Sequence, residues 1–201
     1  MKGGGGRWKA AEVQTRTTST VFHRPPPTST IGVSVALSKT VQDALNEQMK
    51  QEFYAAYLYL SMSAYCSSSN FEGFAKWLRV QAQEEVGHAM RIYDYIEDRG
   101  GRVLLQAIPQ PATEFPSILN VFEQARDHER KVTGMINRLY EVVDQEKDYA
   151  GHPFLEWFLT EQIEEEKQST KIVESLRLAG DHPGALLMLD RELGSRGPED
   201  E

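Results

Sequence analysis

Glu52 is followed 33 positions later by Glu85-x-x-His88, and Glu129 is followed 33 positions later by Gln162-x-x-Glu165. The two sets repeat with an offset of 77 residues, so that Glu52, Glu85 and His88 map onto Glu129, Gln162 and Glu165. Carboxylates and an imidazole are donors that together hold a divalent transition-metal ion. One spacing stated twice predicts a duplicated helical hairpin that carries metal ligands.

The residues around these groups recur with a helical period. In the third segment the apolar positions run Ile118, Phe122, Ala125, Val132, Ile136, Leu139 and Val143, in steps of three and four, and Glu129 falls inside the same stripe. Leu45, Met49, Ala56 and Tyr59 flank Glu52; Phe74, Leu78, Ala82 and Ile92 flank Glu85 and His88; Leu155, Phe158, Ser169, Ile172 and Leu176 flank Gln162 and Glu165. Each stripe turns polar where a core should be apolar. Ionised carboxylates withdrawn from water need a cation or a proton to compensate them, so the pattern calls for metal. The spacings Glu-x-x-Glu and Glu-x-x-His also describe ordinary solvated helix faces; their repetition inside apolar stripes argues against that reading.

Four long helices are needed to position these groups. The midpoint of each 33-residue spacing falls in a polar, turn-like stretch, Cys66 to Asn70 in one case and Gln145 to Asp148 in the other. Residues equidistant from the turn of an antiparallel hairpin lie at one level, here about 24 Å along each helix. Ser38 is a good N-cap for a first helix ending at Cys66, and Asn70 for a second ending at Asp98 before Gly100-Gly101. Pro116 is placed to open the third helix, which ends near Lys147. The fourth starts at Tyr149 or at Pro153 and ends at Gly180, and a short fifth runs from Pro183 to about Leu193. Between the second and third helices, Arg99 to Phe115 can span about 55 Å when extended, enough to travel the length of a bundle. An all-α four-helix bundle with one long crossover follows.

Composition agrees. Residues 1–40 carry six basic side chains and one acidic, and the remainder carries 16 basic and 29 acidic. An acidic body argues against nucleic acid and suits cations. The single cysteine, Cys66, excludes an internal disulfide or a cysteine-rich metal site and points to a reducing compartment. No apolar run reaches transmembrane length, so no membrane partner is expected. Residues 1–37, rich in Gly, Pro, Ser, Thr and Arg, read as a disordered extension or a transit peptide. The domain is expected over 38–196, with a disordered tail at 197–201. The expected location is cytoplasmic, or plastid or another organelle if the extension is a transit peptide.

Leu45-Asn46-Glu47-Gln48-Met49, Ala82-Gln83-Glu84-Glu85-x-x-His88 and Glu161-Gln162-x-Glu164-Glu165-Glu166 resemble the non-haem bacterial and archaeal ferritins, over about residues 38 to 196. The resemblance implies a ferritin-like bundle with a short fifth C-terminal helix. It also implies a homo-oligomeric shell of 24 subunits that binds Fe(II), oxidises it with O2 or H2O2 at a dinuclear ferroxidase centre, and stores a ferric oxyhydroxide mineral. Carried over position by position, Glu52, Glu85 and His88 would hold one iron, with Glu85 bridging to the second. Glu129 and Glu165 would complete the second shell, with Gln162 nearby. Glu84, Glu161 and Glu164, with Glu165 shared, resemble the family's third iron site, and Tyr59 the tyrosine beside the centre. His128 and His152 read as surface residues, Trp157 as packing.

Departures from other relatives narrow the choice. Haem-containing bacterioferritins have a second Glu-x-x-His and a methionine after the bridging glutamate, whereas Gln162-x-x-Glu165 and Val86 stand here, so no haem is expected. A lone Cys66 excludes the four-cysteine iron domain of rubrerythrins. The functional alternatives are a di-iron oxidase or peroxide-detoxifying bundle that stores no mineral, and a metal-free interaction bundle. The segment Ala185-Leu186-Leu187-x-Leu189 favours the shell, which can bury such a helix at a symmetry axis.

Overall fold

Hydrogen bonds at the helix ends set the lengths of the elements that carry the site. In the computed structural model, which describes residues 36–195, the Ser38 hydroxyl accepts from the Val41 N–H at 3.2 Å and opens α1 (Lys39–Ser68). The Ser117 hydroxyl accepts from the Asn120 N–H at 3.1 Å and opens α3 (Ile118–Gln145). Pro116, expected as the first helical residue, therefore lies one position ahead of the cap. The remaining elements are α2 (Glu72–Asp98), α4 (Gly151–Ala179) and α5 (Pro183–Gly194). Phe71 offers α2 no side-chain cap; the Asp190 carboxylate of α5 accepts from the Phe74 N–H at 2.9 Å instead. An anion from a distant helix thus meets the positive end of α2.

The first three helices end in the same way. Asn70, Gly100 and Lys147 follow them in the left-handed region, with φ of 63°, 69° and 56°. The residue after each then reaches back into the last turn, as in Phe71 N–H to Cys66 C=O at 3.0 Å and Asp148 N–H to Val143 C=O at 2.9 Å. Asn70, expected to start the second helix, instead terminates the first. Asparagine is one of the few L-residues that visits this conformation readily. The fourth helix begins between the two expected starts, because Pro153 is its third residue, where the N–H has no helical partner to lose. Gly151 is required there: a Cβ would sit 2.7 Å from Val143 Cγ1.

The crossover runs alongside α1 as its length predicts. The Asn46 side chain accepts from the Leu104 N–H at 2.6 Å and donates to the Arg102 carbonyl at 3.1 Å, and the Ser61 hydroxyl donates to the Ala112 carbonyl at 2.6 Å. From Asn46 to Ser61 is about 22 Å of helix, matched by the stretch from Leu104 to Ala112. The core divides in two. One cluster includes Tyr59, Met62, Phe74, Leu78, Phe122 and Leu176, and the other includes Leu45, Ile92, Ile96, Ile136, Leu139 and Phe158. Cys66 lies in the first, where burial and then the Asp190 carboxylate push its thiol up to about 12. Leu37, one residue outside the expected domain boundary, packs against the second. The other residues expected to form the N-terminal extension and the 197–201 tail lie outside the described residues.

The fifth helix is half committed to its own bundle. Leu186, Leu189 and Leu193 pack against the first cluster, whereas Leu187 and Met188 are exposed. Its close approach to α2 depends on Gly73, where a Cβ would lie 1.7 Å from the Asp190 carbonyl oxygen.

Of the three left-handed terminators, Lys147 is the costly one, since it has a long side chain and no glycine or asparagine advantage. Lys147→Gly is expected to stabilise the protein by about 1 kcal/mol in chemical denaturation. Asn70→Gly is expected to change it by a few tenths at most. A destabilised Lys147→Gly variant would mean that the lysine side chain makes a compensating contact.

Candidate metal centre

Between the two apolar clusters all four long helices turn polar side chains inward. Glu52 and Tyr59 come from α1, Glu85 and His88 from α2, Glu129 from α3, and Gln162 and Glu165 from α4; all seven are buried. Glu52, Glu85 and His88 bring one potential ligand atom each to within 4.8 Å of one another, the only such group among the described residues. His88 Nδ1 lies 3.4 Å from Glu85 Oε2. The Gln48 amide donates to Glu52 Oε1 at 2.9 Å, and Glu52 Oε2 has no hydrogen-bond partner. That buried oxygen is an acceptor free to take a cation.

The other half of the site is tied together by neutral donors. The Tyr59 hydroxyl donates to Glu129 Oε1. The Gln162 amide donates to Glu129 Oε2 at 3.3 Å and to the Glu129 carbonyl at 3.2 Å, and the Gln81 amide donates to Glu165 Oε2 at 2.9 Å. Gln48 and Gln81 were not singled out by sequence. Each stands four residues before Glu52 or Glu85, on the same helix face, and that spacing was the available signal. Behind His88 the Trp157 ring lies edge-on at 5.3 Å, with the Arg91 guanidinium 4.1 Å over its other side. Trp157 therefore packs, as expected, but against a candidate ligand.

Burial dominates the electrostatics. It raises Glu52 to about 8, with the neighbouring Glu85 carboxylate adding to the effect. Burial raises Glu85 to about 8 as well, with Glu84 adding to it. Glu129 is pushed well above the ordinary carboxylate range by burial, then by Glu165 and by Glu52. The centre is thus built to hold protons or a cation, and a divalent ion would displace protons on binding.

The remaining sequence candidates sit differently. Glu84 and Glu161 are half-buried and Glu164 is exposed, its Oε1 accepting from the Gln168 amide at 3.3 Å. These three stand outside the group that closes within 4.8 Å. His128 is buried, not a surface residue: it continues the stripe Val121, Ala125, His128, Val132, so the period itself points inward. Burial and the nearby Lys131 push it down to about 4. His152 is half-buried and stacks on Tyr140, with ring centroids 5.0 Å apart and planes inclined by 7°.

The sequence profile of the ferritin-like domain matches residues 42–179. The chain belongs to the ferritin family. It is 46% identical over 160 residues to the bacterial non-heme ferritin of Staphylococcus saprophyticus, covering 80% of this chain and 96% of that one. It is 42% identical over 165 residues to that of Staphylococcus haemolyticus, covering 82% and 99%. Among solved structures, the open-pore ferritin of the hyperthermophilic archaeon Archaeoglobus fulgidus aligns with a TM-score of 0.80 at 48% identity, covering 81% of this chain and all of that one. A closed form engineered from the ferritin of the same organism aligns with the same score and identity, covering 81% and 99%. The expected ferritin-like fold, with its single crossover and fifth helix, is the fold observed.

The raised carboxyls give this ferritin's metal-free state a pH dependence of defined sign. Glu52 and Glu85 have folded values near 8 against 4.5 for an ordinary glutamate, so between those limits the folded state binds more protons than the unfolded chain. Their stabilising contribution is complete below the lower value and is lost as pH rises through the upper one, at up to about 1.4 kcal/mol per pH unit for each group. Chelator-treated protein is expected to melt at a lower temperature near pH 8 than near pH 6. A Glu52→Gln, Glu85→Gln double variant is expected to lose most of that difference. An undiminished slope in the double variant would assign the pH dependence to other groups.

Proposed function

We propose that the chain is the subunit of an iron-storage ferritin. It oxidises Fe(II) with O2 or H2O2 at a dinuclear centre and keeps the product as a ferric oxyhydroxide mineral inside a hollow shell of 24 copies. The observation that carries this reading is the buried carboxyl cluster placed between two apolar halves of the bundle, where unpaired charge is untenable without protons or metal. Relatives named as ferritins support the storage role over a non-storing di-iron oxidase.

In this reading iron is the substrate. Glu52, Glu85 and His88 hold the first ion, Glu85 extends to the second, and Glu129 and Glu165 complete the second shell with Gln162 beside them. The carboxylates supply negative charge that favours Fe(III) over Fe(II), so each ion gives up one electron more readily to the oxidant. Protons leave the raised carboxyls as the ions enter. Tyr59 fixes the orientation of Glu129 through its hydroxyl, and Gln48 and Gln81 fix Glu52 and Glu165. Glu84, Glu161 and Glu164, at the edge of the cluster with Glu165 shared, serve as a third, more accessible iron site. The iron-handling domain spans 38–196, with 1–37 as an extension outside it.

Replacing Glu129 separates ligand from scaffold. Glu129→Leu removes a desolvated carboxyl, but it also strips the Tyr59 hydroxyl of its acceptor, a cost of about 1–3 kcal/mol. The single variant is therefore expected to be within about 1 kcal/mol of the parent in the metal-free state, whereas Glu129→Leu with Tyr59→Phe is expected to exceed the parent by about 1–3 kcal/mol. Both are expected to lose fast Fe(II) oxidation. A Glu129→Leu variant that oxidises iron at the parent rate would remove Glu129 from the centre.

The exposed Leu187 and Met188 of the fifth helix support assembly. Analytical ultracentrifugation is expected to find a closed particle of several hundred kilodaltons, weakened by Leu187→Asp. Electron microscopy after aerobic Fe(II) addition is expected to reveal filled shells. A monomer or dimer that oxidises iron without retaining it would instead favour the oxidase.

A further inference from the structure

A second cavity lies on the other side of Tyr59 from the carboxyl cluster, where α1, α3 and the crossover diverge. It is a groove of about 340 Å³, in the range of small-ligand pockets, walled by Gln51, Tyr54, Leu58, His128, Lys131 and Met135 among others. We propose that this groove binds a small aromatic anion, its ring between Tyr54, Leu58 and Met135 beside His128 and its anionic group on Lys131. The site is separate from the carboxyl cluster and does not rest on the iron-storage reading.

Three observations carry the assignment. The first is His128, which is only 6% exposed and whose Nε2 is buried without a hydrogen-bond partner. A buried polar atom on a cavity wall is a group that an occupant can satisfy. The second is shape. The Tyr54 and His128 rings meet at 59° with centroids 5.7 Å apart, which leaves a wedge lined on its remaining sides by an aliphatic chain and a polarisable thioether.

The third observation is charge. Asp127, the carboxylate on the groove wall, is already engaged: its Oδ1 accepts from Arg126 Nε and Nη2 at 3.1 and 2.9 Å, and Arg130 lies at 3.7 Å. Lys131 pairs with no carboxylate among the described residues. In a chain of net charge −8, this corner has Arg126, Arg130 and Lys131 against one carboxylate. That balance favours an anion over a metal cation. An occupant would also be felt at the carboxyl cluster, since the His128 ring stands edge-on to Tyr59 at 6.3 Å and Tyr59 donates to Glu129.

Phenyl phosphate is the probe, titrated calorimetrically into the iron-free, full-length assembled protein beside inorganic phosphate and phenol, its anionic and aromatic halves. One phenyl phosphate per subunit is expected, bound more tightly than either half. Lys131→Gln is expected to weaken it about two- to fivefold, and Tyr54→Leu about three- to tenfold. Lys131→Gln should keep the parent's sedimentation and Fe(II) oxidation rate, so failure of this site and failure of the iron chemistry are read separately. The proposal is overturned if no heat of binding appears up to roughly millimolar probe, if both variants bind as the parent does, or if inorganic phosphate binds as well as phenyl phosphate.

Discussion

Withdrawing several carboxyl groups from water at the middle of a helical bundle is the constraint on which the rest of this molecule depends. Glu52, Glu85, Glu129 and Glu165 lie together with almost no solvent contact, and each would be prohibitively costly there as a bare anion. Protons satisfy the cluster when no metal is present, and the upward shifts of Glu52, Glu85 and Glu129 record that. A site that prefers protons at neutral pH, yet offers closely spaced oxygen and nitrogen donors, is one that exchanges protons for cations. The chemistry proposed for this ferritin follows from that exchange.

The scaffold divides its labour accordingly. Apolar side chains form a cluster on each side of the polar layer, so helix packing does not depend on the layer itself. Neutral donors from Gln48, Tyr59, Gln81 and Gln162 then orient the carboxyls without adding charge that would compete with a metal. Uncharged partners are the appropriate choice: a lysine or arginine in their place would neutralise the cluster permanently and remove its affinity for cations.

The ends of the bundle are governed by backbone requirements more than by apolar burial. Three helices stop at a left-handed residue, and α2 borrows its N-terminal acceptor from Asp190 on α5. This last contact ties the short helix to the bundle, while Leu187 and Met188 point away from it. A helix with one face committed to its own subunit and another exposed is suited to join copies of the chain.

The amino-acid sequence determined which faces of the four long helices point inward, and that Glu52, Glu85, His88, Glu129, Gln162 and Glu165 share one level. Those properties follow from the 3.6-residue period and from equal distances to the two turns, both local and additive along the chain. The inward face of His128 was also written in that period, obscured because a lone histidine is usually solvated. Tertiary structure alone decided that Tyr59 reaches Glu129, 70 positions away, that Gln81 reaches Glu165, 84 away, and that Asp190 caps a helix beginning 118 residues earlier. It also decided that Asn70 ends a helix rather than starting one, because only the packing of Phe71 onto the first core cluster shows which way the turn is wound. Such contacts join distant segments whose rotation and separation are set by the packing of all four helices at once, and no spacing along the chain encodes them singly.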